Sequence, residues 1–376
     1  MTGYDVAIVG AGIAGAGLAV ELAPYARVAL LEAEDQPGYH STGRSAAFWT
    51  ESYGGAGVQP LTTASGPWLA SPPADIADRS FLSRCGALYI GRTQDAALLD
   101  GFEAIFAQAI DLERLDRAAL HRRIPGIVPK WDRAILEASC ADIDVGGLHA
   151  ACLAAARRRG VTILSSHRLR SARRRDGRWT IDTTAGAVTA AILVDAAGAW
   201  ADDVARACGA APLGIRPFRR TIVQCRTDPS PPADLPLVLD IAGGFYFKRE
   251  TGGRLWLSPH DETPTEPCDA APEEIDVALA IERLRDVVDW RIESVERKWA
   301  GLRSFAPDRL PVYGFDPGQP GFFWCAGQGG FGIQTAPAAA KLAAALLLGR
   351  DPDPLVAGIV ATLYAPGRFA AATNLQ

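Results

Sequence analysis

The residues best suited to chemistry at the start of the chain are three glycines and one acid. Gly10, Gly12 and Gly15 follow an apolar run, residues 5–9, and lead into a small-residue segment typical of a helix. The first glycine permits a tight turn, the second lets backbone approach a pyrophosphate, and the third lets helix pack on strand. A second apolar run ends in Glu32, placed about 20 residues on to accept from a ribose hydroxyl. The pattern predicts a dinucleotide site at a helix N-terminus.

Two later segments repeat the same strand–glycine arrangement. The largely apolar residues 192–196 run into Ala197 and Gly198, and residues 321–326 run into Gly329, Gly330 and Gly332. Open α/β sheets place their ligands at the carboxyl ends of such strands. The last glycines also precede an alanine-rich helix predicted over 337–348, whose positive N-terminal end can stabilise negative charge.

Other elements follow from periodicity and turn residues. Helices are predicted over 98–110, 147–159 and 272–289, and a short strand over 161–164. Residues 168–196 read as a three-stranded meander because turn-forming pairs stand at 176–177 and 185–186. The arginines at the start of this meander are interpreted as one solvated face of a hairpin.

Composition limits the class of protein. The 376 residues exceed what one hydrophobic core usually contains, which favours two domains. A net charge of −5 argues against nucleic acid as the main partner, and no apolar stretch reaches the roughly 18 residues that a membrane span needs. The chain enters its first strand almost at once, so a cytoplasmic location is expected. The seven cysteines and five histidines show no metal-ligand spacing, so no metal site is predicted.

The two ends of the chain both carry a strand–glycine–helix junction, which predicts a cofactor domain assembled from both ends. Its expected parts are residues 1–80, 141–210 and 305–376. Residues 81–140 and 211–304 would form an inserted substrate domain with a mixed or antiparallel sheet.

Taken together, these segments resemble the FAD-dependent D-amino-acid oxidase/dehydrogenase family, and within it most the D-arginine dehydrogenases. The likeness covers nearly the whole chain and rests on the glycine fingerprint with Glu32 and on residues 36–47, 194–200, 244–246, 299–305 and 328–334. It implies FAD as cofactor and a two-domain, glutathione-reductase-like α/β fold of the Rossmann type. Some amine-oxidising relatives bind FAD covalently through a cysteine near the 299–305 motif. Residues 298–312 contain no cysteine, so non-covalent FAD is expected.

The resemblance implies a set of cofactor-binding residues in the glycine turns and in the 36–47 segment. The set comprises Gly10, Gly12, Ile13, Ala14, Gly15, Glu32, Ala33, Ser41, Thr42, Gly43, Arg44, Ser45, Ala46, Ala47, Leu169, Ala197, Gly198, Gly329, Gly330, Phe331, Gly332, Ile333 and Gln334. Hydroxyl and N–H groups at 41, 42 and 45 can bind phosphate or the polar edge of a flavin, and Arg44 can add a charge-assisted bond.

Several residues are expected to bind or border the substrate. Arg303 lies between apolar neighbours, where an unpaired guanidinium is costly, so a carboxylate partner is expected. The resemblance implies that Arg303 binds the substrate's α-carboxylate together with Tyr246. It places Arg219 or Arg220 near the substrate, with Arg219 preferred, and Tyr53 on a mobile loop over the pocket. Gly330 is expected beside the substrate as well as the cofactor. An ion pair of Arg303 with an acid of the protein itself is the alternative.

Two positions depart from the relatives that act on basic amino acids. At the position of Phe48, those relatives carry a histidine. At the position of Ala87, they carry a glutamate that reaches the positive charge at the end of the substrate's side chain. We therefore expect a neutral, apolar D-amino acid, oxidised by hydride transfer from Cα to the flavin and then hydrolysed to a 2-oxo acid and ammonia.

Two other functions stay open. A sarcosine-like or cyclic imino-acid oxidase would share the fold and fingerprint, and a flavin subunit that relays electrons in a hetero-complex would need no pocket of its own. The sequence leaves the electron acceptor open between O2 and a quinone or carrier.

Overall fold

A computed structural model describes residues 3–369. Its strands are β1 Gly3–Val9, β2 Val28–Leu31, β3 Phe48–Trp49, β4 Leu82–Arg84, β5 Ala87–Arg92, β6 Leu112–Leu115, β7 Trp131–Glu137, β8 Ala141–Ile143, β9 Thr162–Leu164, β10 Leu169–Arg175, β11 Arg178–Thr183, β12 Gly186–Asp195, β13 Arg216–Asp228, β14 Leu237–Asp240, β15 Tyr246–Glu250, β16 Arg254–Ser258, β17 Thr263–Pro264, β18 Arg291–Phe305, β19 Val312–Phe315, β20 Phe322–Ala326 and β21 Gln328–Gly329.

The α-helices are α1 Ile13–Leu22, α2 Gln59–Ala70, α3 Ala96–Phe106, α4 Arg117–Arg123, α5 Val145–Arg158, α6 Ala201–Ala207, α7 Glu274–Arg285 and α8 Ala336–Leu348. No helix within residues 3–369 has the length and apolar character needed to cross a membrane.

The first sheet places strands from both ends of the chain side by side. Its order is β10-β11-β12-β1-β2-β9, and β20 pairs with the end of β12 and with β19. Strands β12, β1, β2, β9 and β20 are parallel, whereas the hairpin partners β10, β11 and β19 are antiparallel. The carboxyl ends of β1, β2, β12 and β20 therefore meet at one edge, where ligands of such sheets bind.

Helix α1 covers this sheet because it is built almost entirely of small and aliphatic residues. It packs against α5 and α8, and the three helices bury a common core that includes Leu18, Leu148 and Leu342. The alanine-rich sequence of α8 suits this position, since small side chains let helices approach closely.

The second sheet is mixed, with the order β21-β18-β13-β16-β15-β14-β5-β7-β6 and β17 beside β13. Its long central pair, β13 and β18, is antiparallel and aligns Arg216 with Phe305 at one end and Asp228 with Arg291 at the other. A small third sheet, β3-β8-β4, contributes Phe48 and Trp49.

The predicted mixed α/β fold is confirmed, and so are the meander and the helices near 147–159, 272–289 and 337–348. The helix predicted over 98–110 ends earlier, at Phe106, and its apolar residues do not share one buried face. Leu98 and Ile105 are 48% and 60% exposed, whereas Leu99 and Phe106 are buried. The tertiary structure thus buries only some of the apolar residues that recur at helical spacing in this segment.

The predicted domain boundaries differ from the strand pairing at two places. Strand β4, at 82–84, pairs with β8 at 141–143 rather than with the second sheet. Strand β21, at 328–329, joins the second sheet through β18. The division into a cofactor and a substrate domain stays a prediction.

Candidate active site

The glycine fingerprint forms the turn between β1 and α1. Gly10 has φ of +102°, a conformation that favours glycine, and Gly12 is the N-terminal cap of α1 without a side-chain capping bond. A Cβ on Gly15 would lie 1.9 Å from the Gly10 carbonyl oxygen. These glycines therefore let the start of α1 sit directly against β1, with its N-terminal end at the sheet edge.

A cavity of about 440 Å³ lies at this edge and continues to the second sheet. Glu32 and Arg303 line the same cavity, so one continuous space connects the predicted ribose site with the predicted carboxylate site. The predicted cofactor residues that line it are Gly10, Gly12, Ile13, Ala14, Glu32, Ala33, Ser41, Thr42, Arg44, Ser45, Ala46, Leu169, Ala197, Gly198, Gly329, Gly330, Gly332 and Ile333.

Five predicted cofactor residues do not line this cavity. Ala47 and Gln334 line a second hollow next to it, and Gln334 donates to the Tyr53 carbonyl over 2.9 Å. Gly15 packs on Gly10, Gly43 is bonded to the Gly38 carbonyl over 2.8 Å, and Phe331 packs edge-on against Tyr53. Ala47 and Gln334 therefore border the smaller hollow, whereas Gly15, Gly43 and Phe331 lie behind the surface of the site.

Several polar groups that were predicted to meet the cofactor are bonded within the protein. Glu32 accepts from the backbone N–H of Ala11, and the Thr42 hydroxyl accepts from that of Ile13, each over 3.0 Å. Ser41 donates to the Leu302 carbonyl over 2.8 Å. These bonds fix the shape of the cavity, and an acceptor oxygen such as that of Glu32 retains a lone pair for a ligand.

Arg44 lines the cavity, but its guanidinium already has partners within the protein. Its guanidinium forms an ion pair with Asp269 and donates to the Ala270 and Ala300 carbonyls. Arg44 therefore ties the 36–47 segment to β18, and its charge is compensated inside the protein.

Arg303 on β18 lies beside aromatic side chains. Its Nη1 donates to the Tyr53 hydroxyl over 2.7 Å, and Tyr246 lines both hollows with it. Within residues 3–369, Arg303 has no carboxylate within 4.0 Å. The alternative of an internal ion pair is thus absent from this part of the chain, and the guanidinium is left for an external anion.

The preference for Arg219 over Arg220 is wrong. Arg219 forms ion pairs with Glu273 and Asp276 of the α7 region and does not line the cavity. Arg220 is 4% exposed, lines the cavity, and donates through Nε to the Asp261 carbonyl over 2.7 Å. Its Nη1 is buried without a hydrogen-bond partner in the described part of the chain. Arg220 is therefore the arginine of the two that borders the cavity, and Asp261 and Glu262 partly compensate its charge.

The smaller hollow, of about 30 Å³, is bounded by Phe48, Tyr53, Tyr246, Arg303 and Gly330. Phe48 packs edge-on against both tyrosines, and Ala87, fully buried on β5, belongs to the same apolar cluster. The two positions at which the chain departs from the basic-substrate relatives thus form or back an apolar wall.

Two residues near the site were not foreseen from the sequence. The Nε2 atom of His260 is hydrogen-bonded to the Tyr53 hydroxyl over 3.0 Å, and its ring packs against Tyr246. Glu137 is fully buried and accepts from the backbone N–H of Glu51 over 2.7 Å, at the root of the Tyr53 loop. A lone histidine and a lone acid carry no sequence signal, because only long-range packing brings them here.

The positive charges of Arg303 and Arg220 shift the pKa values of the neighbouring side chains. Burial opposes ionisation of the Tyr53 phenol, but the charges of Arg303 and Arg220 outweigh it and lower its pKa. Burial, with repulsion from the same two arginines, lowers the pKa of His260 to about 3. The pKa of Arg220 is lowered by burial and by Arg303. Two cations in one buried cavity attract an anionic ligand.

This arrangement, a dinucleotide-type cavity that leads to paired arginines, is typical of a flavin-dependent oxidoreductase. The family model described as DAO, FAD dependent oxidoreductase, matches residues 5–346, and the chain belongs to this family.

The individual relatives have low sequence identity to this chain. The chain is 28% identical over 253 residues to glycine oxidase from Pseudomonas putida, a match that covers 64% of this chain and 65% of that enzyme, slightly less than two thirds. The crystal structure of glycine oxidase from Geobacillus kaustophilus aligns with a TM-score of 0.83 at 23% identity and covers 93% of this chain and 96% of that one. Iminodiacetate oxidase from Chelativorans sp. BNC1 aligns with a TM-score of 0.77 at 23% identity, covering 96% and 98%. These relatives correct the narrower likeness to D-arginine dehydrogenases.

Proposed function

We propose that this protein oxidises a small, neutral α-amino acid with FAD as the electron acceptor. The observation that carries the proposal is Arg303, a guanidinium at the cavity wall with phenols around it and no acid of the described chain within 4.0 Å. Arg220 lines the same cavity and adds a second positive charge, although its Nη1 is itself fully buried. An α-carboxylate suits Arg303, because bidentate donors match its two oxygens.

The cavity fits FAD. Gly198 lines the cavity, and a Cβ there would meet no atom within 4 Å, whereas Gly10 and Gly330 let the backbone pack closely on Ala196 and Arg303 at the cavity wall. The residues that would hold the adenosine and pyrophosphate are Glu32 and the Gly10–Gly15 turn, with the flavin toward Gly330 and Arg303. When bound, the flavin accepts the hydride from Cα. The protein then contributes position and charge.

The wall around Phe48 and Ala87 supports a substrate without a positive side chain. The nearest buried acid on the adjoining strand is Glu137, aligned with Ala87 between β5 and β7. Its oxygens accept from the Glu51 N–H and from Ser52, and burial raises its pKa. Glu137 is therefore already engaged by groups of the protein, which leaves a guanidinium or ammonium side chain of a substrate unpaired.

The finer assignment is a D-amino acid with an apolar side chain. A glycine- or sarcosine-like amine is a second candidate because of the hollow of about 30 Å³ beside Arg303. That space is small for a branched side chain unless the Tyr53 loop moves. The names of the relatives, glycine oxidase and iminodiacetate oxidase, agree with a small primary or secondary amine.

Anaerobic mixing of the FAD-loaded protein with a panel of amines tests the proposal. The panel contains D- and L-leucine, D-phenylalanine, D-arginine, D-lysine, glycine, sarcosine and iminodiacetate. We expect the oxidised flavin band to bleach with a neutral amino acid, D before L, and a better kcat/KM for it than for D-arginine or D-lysine. A preference for the basic pair would refute the side-chain assignment, and a preference for sarcosine would favour the second candidate.

A flavin that no amine bleaches would support the electron-relay function instead. Admitting air to the reduced protein then separates the acceptors, since rapid recovery of the band identifies O2 and its persistence identifies a quinone or carrier.

A further inference from the structure

His260 has a constrained position at the end of the second sheet. It follows β16 with a positive φ of 54°, and its backbone N–H donates to the Ser258 hydroxyl over 3.1 Å. Its two ring nitrogens contact different groups. Nδ1 lies 2.6 Å from the Gly243 carbonyl oxygen, and Nε2 lies 3.0 Å from the Tyr53 hydroxyl. Both contacts are within hydrogen-bonding distance, so each nitrogen has one defined partner.

These contacts determine which nitrogen carries the proton. A carbonyl oxygen can only accept, so Nδ1 must be the donor to Gly243. An imidazolium would carry a second proton on Nε2, but His260 lies in a desolvated region close to Arg220 and Arg303, which disfavour a further positive charge. The neutral ring therefore presents a lone pair at Nε2, and the Tyr53 hydroxyl must donate to it.

The same reasoning fixes the polarity of Tyr53. Its single proton is directed to His260, and one lone pair of its oxygen accepts from Arg303 Nη1 over 2.7 Å. The hydroxyl thus has no proton left for a ligand, and its remaining capacity is that of an acceptor. Because Tyr53 bounds the hollow beside Arg303, a ligand on Arg303 meets an acceptor there.

We propose that His260 is a positioning residue that makes the Tyr53 hydroxyl an obligate acceptor, and that this acceptor binds the amino group of the substrate. The inference rests on the proposed function. In an α-amino acid the amino group is two bonds from the carboxyl carbon, so a carboxylate bound to Arg303 places the nitrogen close to Arg303's neighbour Tyr53. A carboxylate oxygen at the same spot would be repelled by the Tyr53 lone pair. His260 would thereby fix which end of the substrate faces Tyr53.

The test compares two ligands that differ only in the amino group. The first is the amino acid that bleaches the flavin best, with its apparent Kd taken from the saturation of the anaerobic bleaching rate. The second is the carboxylic acid of the same skeleton without nitrogen, acetate for glycine or 4-methylpentanoate for D-leucine, with its Kd taken from the flavin spectrum. Both are measured for the unmodified FAD-loaded protein, for His260→Ala and for His260→Gln. His121→Ala on α4, outside both hollows, is the matched control.

We expect His260→Ala to weaken the amino acid about tenfold, the value of roughly one hydrogen bond to a charged group, and to leave the desamino acid unchanged or tighter. The tighter binding would come from a Tyr53 proton that is free to donate to a carboxylate. His260→Gln, whose amide oxygen can accept near the position of Nε2, should recover most of the loss.

Equal weakening of both ligands by His260→Ala would overturn the inference, because a general loss of pocket structure does not distinguish an amino group. So would unchanged amino-acid binding. If no amine bleaches even the unmodified protein, the proposed function itself fails, and that result is visible before any variant is made.

Discussion

Arg303 and Arg220 bring two positive charges into one desolvated cavity, where Arg220 forms ion pairs with Asp261 and Glu262 and Arg303 has no acid of the described chain within 4.0 Å. Charge interactions in a desolvated site are several times stronger than in water, so an anion bound at Arg303 would be strongly favoured. The α-carboxylate of an amino acid is such an anion. In the proposed function, this one contact would supply both binding energy and orientation.

Replacing Arg303 by lysine tests this contact. Lysine keeps the positive charge but loses the planar, bidentate donor pair. We expect kcat/KM for the best amine to fall roughly 100-fold, since disrupting a buried hydrogen-bonded charge pair costs about 2–5 kcal/mol. Steady-state kinetics measure it, and Arg226→Lys, at a surface ion pair with Glu296 on the same sheet, is the control. Equal losses in the two variants would contradict the role of Arg303.

His260 is half-buried, and its lowered pKa predicts a pH dependence of stability. Its pKa in the folded protein is about 3, below the ordinary value of 6.5 that applies when the chain is unfolded. The unfolded chain thus takes up a proton first, so stability is complete above pH 6.5 and is lost as pH falls toward 3. One such proton contributes a slope of about 1.4 kcal/mol per pH unit.

His260→Gln should flatten the dependence of the unfolding free energy on pH between 6 and 4 relative to the unmodified protein. Denaturant unfolding at several pH values measures the difference, in which the titrations shared by both proteins cancel. Parallel curves would show that His260 titrates normally in the folded state.

At the scale of elements, the register between β13 and β18 decides which arginine joins the site. Arg303 is aligned with Phe218, and Gly301 with Arg220, so Arg220 and Arg303 lie on the same face of the sheet. Arg219 points to the opposite face because successive side chains of a strand alternate. A shift of one residue in this pairing would exchange the two arginines.

The turn between β1 and α1 is equally sensitive to geometry, and Gly15→Ala tests it. The new Cβ would lie 1.9 Å from the Gly10 carbonyl oxygen, so α1 must move away from β1. We expect loss of FAD retention on gel filtration and a lower Tm.

The control is Gly101→Ala in α3, where a Cβ meets no atom within 4 Å. Alanine there should stabilise the protein by about 0.5–1 kcal/mol, since glycine is the poorer helix former. Normal FAD retention by Gly15→Ala would mean that the fingerprint does not approach the cofactor.

At the scale of the whole molecule, the cavity is shared by distant parts of the chain. Glu32 comes from the first sheet, Arg303 from the second, and Gly330 from the connection between β21 and α8. No short segment contains the site, so the ligand that fills it must couple the two sheets.

We therefore expect FAD to stabilise the folded protein strongly. A free concentration 100 times the Kd adds about 2.7 kcal/mol, which thermal unfolding with and without added FAD measures as a rise in Tm. Acid precipitation should release the yellow flavin into the supernatant. Cys325 lines the cavity, but burial raises the pKa of its thiol to about 12 and keeps it protonated.

Cys325→Ser is the control, and it should release flavin in the same way. Flavin that stays with the precipitated unmodified protein and is lost from Cys325→Ser would contradict non-covalent binding.

The sequence alone determined the features that depend on short-range pattern. Glycine spacing gave the β1–α1 turn, apolar runs gave the strands of the first sheet, and alanine content gave α8, because each follows from the backbone freedom or packing of neighbouring residues. The family resemblance identified Arg303 and Tyr246 as candidate substrate ligands, and both line the smaller hollow in the structure.

Only the tertiary structure decided how side chains far apart in the chain are oriented. In the folded chain, Arg219 forms an ion pair with α7, whereas Arg220 lines the cavity. Arg44 is paired with Asp269, and His260 is hydrogen-bonded to Tyr53. Strand register and loop closure set these contacts across 200 residues or more in two of the cases, Arg44 and His260. Local propensity carries no information at that range, because a side chain's partner depends on which strands pair and how they are aligned.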